Sequence, residues 1–236
     1  MSAFSRSSTG ISVVQHFSSL INGKIIVITG PSANSIGAET AISLAHASPS
    51  IILLAGRSEA KISPIIKEIH TLNPSITTHF VPLDLASQKS IRQAASLINS
   101  LVEKIDILIN NAGVMAVPAY QTTEDGIELQ FGCNHIGHFL LTNLVLEKLL
   151  KAGREGQARI VNVSSTGYEL GGVQFDDWNF NVWILPKFNS YAQSKTANVL
   201  FSSTLAARLK DRNIQSFALQ PGCEFFEILF KRTINY

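Results

Sequence analysis

The chain has 236 residues, 45% of them apolar, and its 19 basic residues nearly balance 17 acidic ones for a formal charge of +2. That composition fits one filled α/β domain and excludes a disordered chain. Scattered Lys and Arg leave no nucleic-acid footprint. Two cysteines, Cys133 and Cys223, follow no metal-like or paired pattern and are expected as free thiols in a reducing compartment.

The N-terminal "MSAFSRSSTG" is polar and lacks the apolar core of a signal peptide. No apolar run reaches the ~20 residues that span a bilayer, so a cytoplasmic location is the expectation. Within an extension over residues 1–22, "ISVVQHFSSLI" sets Val13, Val14, Phe17, Leu20 and Ile21 on one helical face. A short helix docked on the domain is expected, since the polar face lacks the basic residues of a membrane-surface helix.

From there, short β-branched runs alternate with amphipathic stretches. Strands are expected at 24–29, 50–55, 78–83, 106–110, 159–164 and 215–220, each nearly continuously apolar as in a sheet buried on both faces. Helices are expected near 37–47, 59–72, 87–103, 123–151 and 189–211. Pro64 should kink the second or shift its start toward Ser63. "VLEKLLKAGRE" reads as a solvated helix end with a glycine stop. The alternation implies right-handed crossovers and a single doubly wound parallel α/β domain, whose ligands bind beyond the strands' carboxyl ends.

The polar motifs fall at those ends. "TGPSANSIGAET" joins the first strand to the first helix. There Gly30 permits a tight turn, and Gly37 permits close packing while helix N–H groups face a pyrophosphate. Asn34 or Ser35 stands where a middle glycine is usual, and Asn tolerates left-handed backbone. About 20 positions after Gly37, where a ribose-binding carboxylate is common, "LLAGRS" offers Arg57, suited to a 2′-phosphate and so to NADP(H) rather than NAD(H). In "YAQSK", Tyr191 and Lys195 share a helix face, and the cation should lower the phenol's pKa to make an acid-base unit. "VNVSS" puts Ser165 at a strand end, where a hydroxyl can polarise a carbonyl. His135 and His138 are three apart, but no Cys, Asp or Glu converges on them and no metal site is expected. Trp178, Phe180 and Trp183 either wall a lipophilic substrate or pack their own segment down.

Together "TGPSANSIGAETA", "LAGRS", "LDLAS", "NNAGVM", "FGCNHIGHFLLT", "RIVNVSS", "YAQSKTANVLF" and "QPG" resemble the short-chain dehydrogenase/reductase family, in its retinol-dehydrogenase-like and WW-domain-oxidoreductase-like branch. The resemblance spans about residues 10 to 222. It implies carbonyl–alcohol interconversion on a small, apolar substrate, with Tyr191 as acid-base and Lys195 as its modulator and a ribose ligand. It further implies Ser165 orienting the carbonyl and Asn134 holding a relay water. The dinucleotide would lie against Gly30, Ser32, Ile36, Gly37, Arg57, Asp84, Leu85, Asn111, Ala112, Gly113, Tyr191, Lys195 and Pro221, with Asp84 and Leu85 at the adenine. A homodimer through the helices near 123–151 and 189–211 is also implied. Residues 223–236, "CEFFEILFKRTINY", do not resemble the family's continuation, so the sheet is expected to lack its last strand. A second reading stands beside the enzyme: a catalytically poor cofactor-binding protein serving as an interaction or regulatory module.

Overall fold

The apolar runs form six strands: β1 Ile25–Thr29, β2 Ile51–Gly56, β3 Thr77–Pro82, β4 Ile107–Asn110, β5 Ala158–Val163 and β6 Ile214–Leu219. They belong to a computed structural model that describes residues 4–5, 7–180 and 187–222. All pair in parallel, in the order β3-β2-β1-β4-β5-β6. Each lies within one residue of its sequence expectation. Alternate side chains point to opposite faces, so Val27, Leu53 and Leu108 enter one core while Ile26, Ile28, Ile52 and Leu54 enter the other. Each such side chain contributes about 1.5–3 kcal/mol on burial. Among the described residues β3 and β6 are the edges.

The helices are α1 Gly10–His16, α2 Ile36–Ala45, α3 Glu59–Leu72, α4 Gln88–Leu101, α5 Leu129–Phe131, α6 Gly137–Leu144, α7 Leu146–Glu155 and α8 Lys187–Leu209. α2 and α3 cover one face, with α1 beside α2; α4, α6 and α7 cover the other. At the N-terminal end Val14 and Ile21 join the α2 core, while Phe17 and Leu20, expected on the same face, are exposed. Among the described residues no helix is long and apolar enough to cross a membrane.

Three local expectations are corrected. The helix expected over 123–151 begins only at Leu129 and comes in pieces, with a π-helical turn at Gly132–Ile136 between α5 and α6. Residues 123–126 turn instead: the Thr123 hydroxyl accepts from the amides of Asp125 and Ile127, and Gly126 takes a left-handed φ of 76°. Pro64 does not shift α3, which starts at Glu59; Pro64 and Ala60 are both exposed, so water can serve the carbonyl that the proline leaves unpaired. α7 runs through Gly153 to Glu155 and is amphipathic rather than solvated, burying Leu149 and Ala152.

β1 and β4 are neighbours although β2 and β3 intervene in sequence. Their carboxyl ends therefore open the crevice where the topology reverses direction.

Candidate active site

The turn after β1 shows why its glycines are needed. Gly30 has φ 71°, and a Cβ there would lie 2.8 Å from the Cβ of Ala112. A Cβ on Gly37 would lie 2.5 Å from Asn111 Nδ2 and 2.8 Å from the Gly30 carbonyl oxygen. The place of the missing glycine is filled by Asn34, with φ 61°, a conformation Asn accepts more readily than most residues. Ser35 caps α2, its hydroxyl accepting from the Ala38 amide at 3.2 Å. The first-turn amides of Ile36 and Gly37 are those a helix start leaves unpaired, and Ser32 lies in the loop before them. The cradle thus fits a pyrophosphate by backbone approach and by dipole.

At the far side of the sheet order, Arg57 follows β2 and is exposed, and Asp84 follows β3. The charges of both bear on the Cys133 thiol. The Asp84 carboxylate accepts from the Ala86 amide at 2.9 Å, and the Leu85 carbonyl closes on the start of α6 at Gly137. Cys133 itself is a buried free thiol pushed up to about 11, chiefly by burial.

The pocket between these ends and α8 is lined by Ile36, Asn111, Gly113, Ser165, Tyr191, Lys195 and Pro221, with Met115 and Val163 adding apolar wall. Seven residues singled out from sequence thus share one crevice. Gly30, Ser32, Gly37 and Ala112 build the cradle beside it, Arg57, Asp84 and Leu85 lie further along the strand ends, and Asn134 stands behind the wall.

Tyr191 and Lys195 are both buried, one turn apart on α8. The Tyr191 hydroxyl hydrogen-bonds Ser165, which lowers its pKa, while burial is the larger effect and raises it above the usual phenol value. This differs from the sequence expectation that Lys195 would set a lowered value. The Lys195 ammonium donates to the Val163 carbonyl at 2.9 Å and lies 5.4 Å over the centroid of the Tyr191 ring. Burial pushes it down to about 8.

Asn134 is fully buried in the π turn, with its side chain committed. Oδ1 accepts from the Val114 amide at 2.7 Å, and Nδ2 donates to the Val114 carbonyl at 2.9 Å and to Ser194 Oγ at 3.0 Å. A π turn at such a place commonly marks a functional site.

Sequence reasoning missed the residues that hold these groups. Asn198 Nδ2 donates to the carbonyls of Asn134 and Val163, and Asn198 Oδ1 accepts from His135 Nδ1 at 3.0 Å. Gln193, fully buried, accepts from the Gln174 amide at 2.8 Å and donates to the Trp178 carbonyl at 2.7 Å, fastening the segment after Ser165 to α8. Both residues are buried on α8 among other polar side chains, Ser190, Ser194 and Ser202, and helical spacing gave no sign of their distant partners. In that segment Phe180 packs inward, whereas Trp178 is 43% exposed with its ring 6.2 Å from Phe131; Trp183 lies outside the described residues. His135 and His138 are spent on protein partners, and no metal-binding cluster occurs among the described residues.

A glycine-bearing turn at the switch point of a parallel sheet, with Ser, Tyr and Lys on one crevice, defines the class as a Rossmann-type α/β fold. The sequence profile described as short chain dehydrogenase matches residues 24–224, and the chain belongs to that family. It is 46% identical over 207 residues to human retinol dehydrogenase 13, covering 86% of this chain and 59% of that protein. To an uncharacterized oxidoreductase of Schizosaccharomyces pombe it is 39% identical, covering 86% of this chain and 60% of that one. A crystal structure of a Mycobacterium paratuberculosis protein superposes with a TM-score of 0.73 at 36% identity, covering 86% of this chain and 70% of that one. The chain spans about 60% of the length of these curated relatives. The resemblance to the retinol-dehydrogenase-like branch is borne out.

Proposed function

We propose that the protein is an NADP(H)-dependent oxidoreductase that interconverts a carbonyl and an alcohol on a small, apolar substrate. The observation that carries this reading is the convergence of Ser165, Tyr191 and Lys195 on the crevice that also holds Ile36 and Pro221. Arg57 supports the choice of NADP(H), since its guanidinium suits a 2′-phosphate and no carboxylate stands between residues 51 and 58.

When bound, the nicotinamide cofactor supplies or accepts the hydride at the substrate carbon. In reduction, Tyr191 donates its phenolic proton to the carbonyl oxygen and Ser165 Oγ donates a hydrogen bond to the same atom. The raised pKa of Tyr191 keeps it in the protonated form that this direction requires. Lys195 bears a positive charge at neutral pH, which stabilises the phenolate left behind until solvent reprotonates it. Asn134 holds Val114 and Ser194 in place, and so fixes the wall opposite Tyr191.

Purified protein should oxidise NADPH in the presence of an apolar aldehyde or ketone, and Tyr191→Phe should bind NADPH normally without turnover. Normal NADPH binding by the wild type with no turnover over a broad carbonyl panel would instead favour the binding-module reading. A homodimer through α6 and α8 belongs to the same proposal: Phe139 and Leu200 are 46% and 50% exposed, and light scattering would read the dimer mass.

A further inference from the structure

Thr29 ends β1, and its hydroxyl oxygen accepts from the amides of Asn111 and Ala112, both at 3.0 Å. Nε2 of His138 lies 2.9 Å from the same oxygen. With its lone pairs engaged by two amides, the hydroxyl has its proton left to give, and Nε2 is the nearer acceptor; the Ile109 carbonyl is 3.5 Å away. The imidazole proton then resides on Nδ1, which is 3.1 Å from the carbonyl oxygen of Asn134 in the π turn. His138 is fully buried, and desolvation holds its pKa down to about 4; the nearby Lys195 and His135 also oppose a second proton. A neutral Nδ1–H imidazole therefore fits all four distances.

We infer that His138 is a positioning residue that ties the Asn134 turn to the dinucleotide cradle through Thr29. The linkage continues beyond Asn134: its Nδ2 donates to Ser194 Oγ at 3.0 Å, and Ser194 Oγ donates to the Tyr191 carbonyl at 2.7 Å. One hydrogen-bonded line thus joins the Asn111–Gly113 loop to the backbone of the helix that bears the phenol. Its consequence for turnover rests on the dehydrogenase reading above; the link itself does not.

The test uses the full chain and three variants. His138→Asn keeps a donor near the Nδ1 position, His138→Gln keeps an acceptor near Nε2, and His138→Phe keeps neither. Imidazole 15N shifts of the wild type should show the neutral Nδ1–H tautomer from pH 5.5 to 8. In His138→Phe, kcat should fall about 10²-fold, the scale of a misplaced reacting group, with NADPH affinity changed less than about threefold because Thr29 still holds both amides. His138→Asn should recover part of kcat whether or not it recovers thermal stability. An Nε2–H or doubly protonated ring would overturn the inference, as would wild-type kcat in folded His138→Phe, or variants whose kcat merely follows their melting temperatures. If the wild type neither binds NADPH nor turns over, the dehydrogenase reading falls and the 15N tautomer alone decides the link.

Discussion

The Lys195 ammonium lies over the ring of Tyr191, 5.4 Å from its centroid, while Ser165 is the side chain hydrogen-bonded to the phenolic oxygen. The lysine thus faces the ring rather than the hydroxyl and is itself anchored to the end of β5 at Val163. Removing the hydroxyl should leave the crevice intact. In Tyr191→Phe, kcat for carbonyl reduction is expected to drop ~10²–10⁴-fold, the usual span for a general acid, with the NADPH dissociation constant unchanged in fluorescence titration. Ser165→Ala should lose turnover too and raise the Tyr191 pKa further, because the one hydrogen bond that lowers it is gone.

The buried lysine has a second signature, in stability. Its folded pKa, about 8, lies below the ordinary 10.5. Between those values the unfolded chain binds the extra proton, so this group's contribution to stability rises with pH, by at most ~1.4 kcal/mol per unit. Below about pH 8 that contribution is lost. Urea midpoints measured from pH 7 to 10.5 should therefore climb relative to those of Lys195→Met, which should be as stable as the wild type at pH 7 yet inactive. Parallel curves for the two proteins would contradict the assignment.

His138 works at the acid end. Its folded pKa, about 4, is below the usual 6.5; the stability it confers is complete above 6.5 and is lost as pH falls through 4. The wild type should weaken between these values more steeply than His138→Gln, as read by thermal unfolding at half-unit intervals.

Packing at Gly153 offers a test remote from the site. A Cβ there would stand 2.2 Å from the Arg212 carbonyl oxygen and 3.2 Å from Ile214 Cγ1, and the oxygen is backbone. Gly153→Ala should destabilise the chain by about 1–3 kcal/mol through overpacking, although Ala is the better helix former by ~1 kcal/mol. Chemical denaturation would show it, with cofactor affinity unaltered.

The strands were legible because each is an apolar run bounded by polar turn residues, and the cradle was legible because Gly30 and Gly37 stand where backbone must approach backbone. Even the irregular Asn34 followed from the left-handed tolerance of Asn. The long helix over 123–151 was misread because periodicity alone extends through Thr123–Gly126, where the Thr123 hydroxyl accepts from the Asp125 and Ile127 amides and makes a turn, while the Asp125 carboxylate accepts from the distant Gln88 amide. The π turn left no such local mark. Thr29, His138, Asn198 and Gln193 were invisible as site residues for a further reason: their partners are more than ten residues away in sequence or are backbone atoms. His138 drew notice only as a possible metal ligand, since spacing shows neighbours on a helix and not the strand end facing it.

The turn after β1, with Arg57 at the end of β2, is proposed to hold a phosphorylated dinucleotide. The most direct test is titration of NADPH and NADH fluorescence with wild type and with Arg57→Ala. NADPH should bind the wild type more tightly than NADH, and the variant should lose about 10–100-fold for NADPH, the worth of a charge-assisted pair to phosphate, while NADH binding stays level. Equal affinities for the two cofactors that Arg57→Ala leaves unmoved would contradict the NADP(H) assignment, and folded protein that binds neither would contradict the cradle itself.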